Sequence, residues 1–362
     1  MGTLKVKAGA RYRAMFYLNA RSDSPFRLRA THLDGVRAPK VVLCNAEEIE
    51  PGQLWEVEVV SITKPRSKDR GAIEVSPVRP VAFHLDDDIY VPEMLARKLE
   101  ALMEAGLNIL LDGPQGSGKT VLTRSLARAS GMEYVFFNCS AIFEATDFLA
   151  TVQVRATDTG GVETTWVKTD ILRAFESARA HPAKRFLIFL DEFNRCREMA
   201  RNGIMPALDS TRRMFNPITG MSEMIPPNIV WVAAINNGAQ FTGTTTVDPA
   251  QLDRFAPLKI TYPPKDEEVA ILRGRYPDVS KRLVGTIVDA ARAVRGDADL
   301  GLDLSMRATE EACLVMSHPN FLGRDELLPE VLKDTFCGRA QGRWDDEMTD
   351  AGMMWKVVSA AL

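Results

Sequence analysis

The sequence predicts an α/β fold: a doubly wound parallel sheet, with a small β-barrel-like domain before it and an all-helical unit after it. Three observations predict this order. Near-continuous apolar runs at residues 108–111, 134–137, 186–190 and 229–234 alternate with helical patterns, as parallel strands covered on both faces by crossover helices require. Ahead of them, residues 11–19, 26–32 and 54–62 favour β-branched and aromatic side chains, the mark of short strands. Beyond Tyr262-Pro263-Pro264 the strand-like runs stop and amphipathic helical patterns take over. The expected division is therefore a β-rich domain at 1–80, an α/β domain at 81–262 and a helical lid at 263–362.

The N-terminal unit reads as a barrel of the OB or SH3-like kind. Trp55-Glu56-Val57-Glu58-Val59 alternates as a half-buried strand does, and turn signals fall at Ser22-Asp23-Ser24-Pro25, Asp34-Gly35 and Glu50-Pro51-Gly52. Lys64, Arg66, Lys68 and Arg70 make residues 64–71 a basic loop on that barrel. Such a loop is either a solvated hairpin tip or a contact for a phosphate backbone. Residues 77–88, prolines followed by acids, read as a linker, and a helix is expected from Pro92 to the stop signal at Gly106.

Bulk composition narrows the function classes. A chain of 362 residues suggests two or three units, each with its own core. Acids outnumber bases 48 to 45, so the surface as a whole is not built to grip nucleic acid. The apolar runs are too short to span a bilayer, and no leader pattern stands at Met1. Cys44, Cys139, Cys196, Cys313 and Cys337 include no pair at metal-binding spacing. They read as reduced thiols, and a cytoplasmic location is expected.

The chemistry is carried by Gly113-Pro114-Gln115-Gly116-Ser117-Gly118-Lys119-Thr120, which fits GxxxxGK[ST] in full. It stands between a predicted strand and a helical run over 121–129 that opens at Val121, the context a phosphate-binding loop needs. Glycines let main-chain N–H groups turn inward around a phosphate, and the following helix N-terminus adds partial positive charge. Lys119 is placed to reach the β- and γ-phosphates, and the Thr120 hydroxyl to ligate Mg²⁺. A second element is the apolar strand over 186–190 ending in Asp191 and Glu192. Asp191 suits the metal side of the cradle, and Glu192 suits a general base acting on the attacking water. ATP and Mg²⁺ are the expected cofactors. No guanine-reading NKxD-type motif is found, which favours ATP over GTP.

These residues resemble the P-loop NTPase core of the AAA+ superfamily and, within it, the MoxR/CobS-like branch, from about Leu85 onward. Asp191-Glu192-Phe193-Asn194-Arg195 is similar to that branch's DE-x-NR signature. The resemblance implies that Asn236, at the end of a strand, is the sensor-1 residue that orients the lytic water, with Asn237 its neighbouring alternative. Leu252-Asp253-Arg254-Phe255 resembles the segment that supplies an arginine finger. Arg254 would then enter a neighbouring subunit's site, which implies a homo-oligomeric ring, most often a hexamer. Ser305-Met306-Arg307-Ala308 resembles sensor 2, with Arg307 on the γ-phosphate of its own subunit, and Asn138 falls where the family often restrains the catalytic glutamate. Two further segments, 152–167 around Thr159-Gly160-Gly161 and 215–220 with 221–225, read as the inserted hairpins of this branch. In the family such hairpins line the pore or face of the ring, although either could be a packing device.

The resemblance implies remodelling of a protein client or assisted metal insertion, commonly beside a partner with a von Willebrand A domain. The N-terminal unit departs from the branch's pattern. It leaves open a nucleic-acid motor or loader, as in the related McrB-like subunits, and an ATP-switched scaffold.

Overall fold

The computed structural model describes residues 8–9, 11–18, 28–33, 41–43, 54–63, 72–80, 85–86, 89–156, 161–236, 247–297, 300–302 and 304–362. Toward the N-terminus, β1 (Arg11–Leu18), β2 (Leu28–Leu33), β3 (Val41–Leu43), β4 (Leu54–Thr63) and β5 (Ala72–Pro80) pair in the order β1-β2-β3-β5-β4. The sheet closes on itself because β1 also pairs with β4. Only β3 and β5 run parallel. Along β4, Val57 and Val59 are buried while Val60 is 53% exposed, so the alternation seen in the sequence is real. The linker expected at 77–88 is corrected in its first part: β5 continues through Pro80. Its register with β4 shifts between Glu56 and Val57, where Val57 opposes Pro77, and an irregularity of this kind is where a strand tolerates proline. The basic loop at 64–71 lies outside the described residues.

After α1 (Glu93–Glu104), the α/β unit comprises β6 (Ile109–Asp112), α2 (Lys119–Ala129), β7 (Glu133–Asn138), β8 (Ala150–Ala156), β9 (Val162–Lys168), α3 (Asp170–Ala180) and β10 (Phe186–Asp191). It continues through α4 (Glu198–Leu208), β11 (Arg213–Asn216), β12 (Met221–Met224), β13 (Ile229–Ile235), α5 (Pro249–Leu252) and β14 (Ala256–Lys259). Five strands form one parallel sheet in the order β14-β6-β13-β10-β7. Apolar side chains leave each central strand in alternation and fill two separate cores. Phe186, Ile188 and Leu190 join Trp231 and Ala233 on the side of α3 and α4. Leu187 and Phe189 join Val230 and Val232 on the side of α1 and α2. This double burial is why the strands read as unbroken apolar runs.

The apolar runs in the sequence account for four strands of this sheet; the fifth, β14, carries no such signal. Segment Ala256-Pro257-Leu258-Lys259 is short and carries a proline, both arguments against a strand. It survives because β14 is the sheet edge, where proline's missing N–H leaves no ladder bond unmade. Both inserted hairpins are present: β8 pairs antiparallel with β9, and β11 with β12. Thr159 and Gly160 at the first hairpin's expected turn lie outside the described residues.

The C-terminal unit is helical: α6 (Lys265–Arg275), α7 (Lys281–Gly296), α8 (Met306–Ser317), α9 (Leu328–Thr335) and α10 (Asp350–Ala361). They share a core built on Leu272, Ile287, Val288, Ala312, Leu332 and Val358. Cys139, Cys196, Cys313 and Cys337 are free and buried. Burial raises the Cys139 thiol well above its ordinary range, and nearby Cys196, Asp191 and Glu192 push the same way, so it stays protonated. No helix among the described residues is long and apolar enough to cross a membrane.

Candidate functional site

The turn from β6 into α2 depends on three glycines. A side chain on Gly113 would stand 2.3 Å from the Ile260 carbonyl oxygen, so the loop can pass the end of β14 only without one. Gly116 and Gly118 have φ of +71° and +87°, a region closed to most L-residues. Gly118 thereby caps α2 and turns the chain so that Lys119 opens the helix. Lys119 is 7% exposed, and its Nζ donates to the carbonyls of Gly113 and Pro114, each at 2.8 Å. The ammonium is thus held inside its own loop. The Ser117 hydroxyl also closes on Pro114 O, at 2.8 Å.

β10 delivers the two acids. Asp191, its last residue, accepts from the Thr120 hydroxyl at 3.3 Å, bringing the two expected metal-side oxygens together. Strand alternation would send the next side chain to the opposite face. Glu192 instead takes left-handed dihedrals, φ 54° and ψ 40°, at a cost of about 1–3 kcal/mol for a non-glycine residue. Both consecutive carboxylates therefore line one cleft. Arg195 pairs with Glu192, Nε to Oε1, at 3.5 Å.

Asn194, within the DE-x-NR-like segment, has a structural task. Buried at 2% exposure, it donates to the Asn236 carbonyl at 2.8 Å and accepts from the Asn236 N–H at 3.3 Å. One amide side chain thereby fixes the end of β13 against the turn after β10. Fully buried Arg201 braces that turn, donating to the Asn194 and Cys196 carbonyls at 3.3 and 3.2 Å.

Of the residues singled out in the sequence, the fold brings Gln115, Gly116, Ser117, Gly118, Lys119, Thr120, Val121, Asp191, Glu192, Asn236 and Arg307 to one cleft. Arg307 arrives on the first turn of α8, whose N-cap Ser305 lies so close that a side chain on Gly116 would meet its Cβ at 2.5 Å. Arg254 does not line this cleft; its guanidinium donates to the Ala250 carbonyl. Asn138 sits beside Asp191 in the sheet register, but its side-chain oxygen caps a turn by accepting from Ser140 N at 2.8 Å. Asn237 lies outside the described residues.

Ile89, Tyr90, Pro263, Ile271 and Met306 also line the cleft, a role that no motif in the sequence announces, and so do Arg275 and Glu310, which are ion-paired. The available signal is the aromatic-aliphatic pair Ile89-Tyr90 just ahead of the first helix. A cleft with this lining offers apolar side chains as well as cationic and main-chain donors, so it can take a ligand that joins a flat apolar group to a polyanion.

One family model matches the stretch that carries this geometry. Residues 108–255 match the AAA domain of the dynein-related subfamily. That segment runs from the residue before β6 to the residue before β14, so it holds the phosphate loop and both acids. The P-loop AAA+ fold is thus shown on the α/β unit, with the helical unit beside it. An uncharacterized protein of Staphylococcus saprophyticus is 27% identical over 170 residues, 47% of this chain and 61% of its own. One of Staphylococcus haemolyticus is 28% identical over 170 residues, with the same coverage. The chain therefore spans about three fifths of the length of these two curated relatives. Among solved structures, a proline-to-glycine mutant of Thermotoga maritima RuvB shares 15% identity at a TM-score of 0.44, over 70% of this chain and 73% of that one. The RuvB Holliday junction branch migration motor of the same organism aligns at 15% identity and a TM-score of 0.41, over 67% of this chain and 69% of that one.

Proposed function

We propose that this chain is a Mg²⁺-dependent ATPase of the AAA+ type that works as a ring and uses turnover to remodel a protein client. The observation that carries the reading is the convergence of Lys119, Thr120, Asp191, Glu192, Asn236 and Arg307 on one cleft that Ile89, Ile271 and Met306 also line. The residues present fit the nucleotide and its metal. Gly113 and Gly116 leave no room for side chains, and Lys119 is a buried cation already turned into the loop. A hydroxyl and a carboxylate stand 3.3 Å apart where a hard cation takes oxygen ligands.

Each residue then has a task. Lys119 exchanges its two carbonyl partners for phosphate oxygens, and the amides of the loop hold the same group from the main chain. Thr120 and Asp191 would hold Mg²⁺, which supplies charge neutralisation on the phosphates when bound. Glu192 accepts a proton from the attacking water, and Asn236 orients that water from a position fixed by Asn194. Arg307 contacts the γ-phosphate from the lid, and Arg254 reaches a neighbour's site, which accounts for its absence from its own cleft. Ile89, Tyr90, Ile271 and Met306 receive the purine. The hairpin β8–β9, with Val154 and Val162 at 67% and 73% exposure, is offered to the client. The MoxR/CobS-like resemblance extends this to metal insertion and to a partner with a von Willebrand A domain. Phosphate release from ATP by the purified chain tests the reading: it should require Mg²⁺ and stop on chelation. Absence of turnover with Mg²⁺ across a range of protein concentrations counts against it.

One observation favours a second reading. The N-terminal strands close in the order β1-β2-β3-β5-β4 with β3 and β5 parallel, the connectivity of a Greek-key barrel of the kind that binds oligonucleotides. A nucleic-acid motor predicts that the full chain retards a single-stranded oligonucleotide at low salt, with affinity falling steeply as salt rises. No shift at low salt removes this reading and leaves the protein client.

A further inference from the structure

The carbonyls of the phosphate loop do not all point the same way. Gly113 O and Pro114 O accept from Lys119 inside the loop. Gln115 O faces out of it and accepts from the Tyr262 hydroxyl at 2.8 Å. In a trans peptide, C=O and the following N–H point in opposite directions, and no cis peptide occurs among the described residues. Fixing Gln115 O on Tyr262 therefore turns the Gly116 N–H away from Tyr262, back toward the cleft that Gly116 lines. That peptide needs fixing. Gly116 has φ +71° and no side chain to restrict its rotation, and a flipped peptide would present a carbonyl oxygen where an anion should sit.

Tyr262 is itself held by the lid. The Arg295 guanidinium stacks on its ring at 4.3 Å. Arg295, on α7, is bidentate to Glu268 on α6 at 2.7 and 3.1 Å, and its Nε donates to the Leu304 carbonyl at 2.6 Å. Glu268 is fully buried and also accepts from the Thr309 hydroxyl on α8 at 3.2 Å. A buried ion pair with its hydrogen-bonding groups satisfied on several sides resists rearrangement, because losing one partner strands a charge. Three lid helices are thus pinned at one point, and Tyr262 extends that point to the phosphate loop.

We infer that Tyr262 is a positioning residue: its hydroxyl holds the Gln115–Gly116 peptide with the N–H toward the phosphates and ties the phosphate loop to the lid through Arg295 and Glu268. The inference rests on the phosphate-binding reading of the loop and goes beyond it, to how the loop is held in shape and how the lid registers its occupant. Coupling of this sort is reciprocal, so nucleotide must also tighten the lid.

Tyr262→Phe removes only the oxygen. ADP affinity should fall on the order of fivefold, the effect of one hydrogen bond, with the nucleotide-free melting temperature unchanged. Hydrogen exchange should show ADP protecting α7 and α8 in the natural chain and protecting them less in the variant. An ADP dissociation constant within twofold of the natural chain overturns the inference, and so does a lower melting temperature at unchanged affinity. Should both fall, hydrogen exchange decides: weaker ADP protection of α7 and α8 than in the natural chain supports the role of Tyr262, and protection equal to that of the natural chain overturns it. Lys119→Ala, run alongside, should bind no ADP in this range; if it binds normally, the phosphate-loop reading has failed and not this inference alone.

Discussion

Glu192→Gln should bind ATP with near-natural affinity and lose turnover by roughly 10²–10⁴-fold, the span that a positioned general base contributes. The substitution keeps the shape and the left-handed turn at φ 54° while removing the charge that accepts the proton. Arg195, now 3.5 Å from that carboxylate, would face a neutral amide instead of an anion. Nucleotide titration and phosphate release on one preparation separate the two effects. Turnover near that of the natural chain would remove Glu192 as the base and pass the role to another acid at the cleft.

The second large effect is expected at Arg254, which touches none of its own subunit's cleft. Arg254→Ala should keep ATP binding and lose turnover by about 10³-fold or more, the range reported by removal of arginine fingers. A planar, permanently charged group suits the charge spread over a transferring phosphoryl group. Its Nε is buried without a hydrogen-bond partner, so the side chain is not fully used where it stands. Mixing Arg254→Ala with Lys119→Ala subunits is the sharper measurement. Each mixed boundary can join an intact loop from the first to an intact arginine from the second, so activity should partly return. No rescue at any ratio would mean that the sites are not shared between subunits.

Much of the site was legible before the fold was known, and the reason is local. The phosphate loop encodes its own conformation, because glycines at fixed spacing permit the dihedrals at Gly116 and Gly118 and the close pass of Gly113 beside Ile260. The buried strands show as unbroken apolar runs, because the sheet is covered on both faces. Asp191 and Glu192 could be placed because a strand end is itself a sequence feature. Edge strand β14 escaped notice because its proline and its length of four residues are tolerated only by virtue of its neighbours.

Read without a fold, the chain carries a complete GxxxxGK[ST] motif, an acid pair after an apolar run, and a change from strand-like to helical patterns. Packing settles how distant residues meet. Ile89, Ile271 and Met306 line one cleft, Asn194 clamps Asn236 across 42 positions, and Tyr262 reaches Gln115 across 147. No spacing rule ties such pairs, because they are set by how sheet and helices pack and not by the run of the chain.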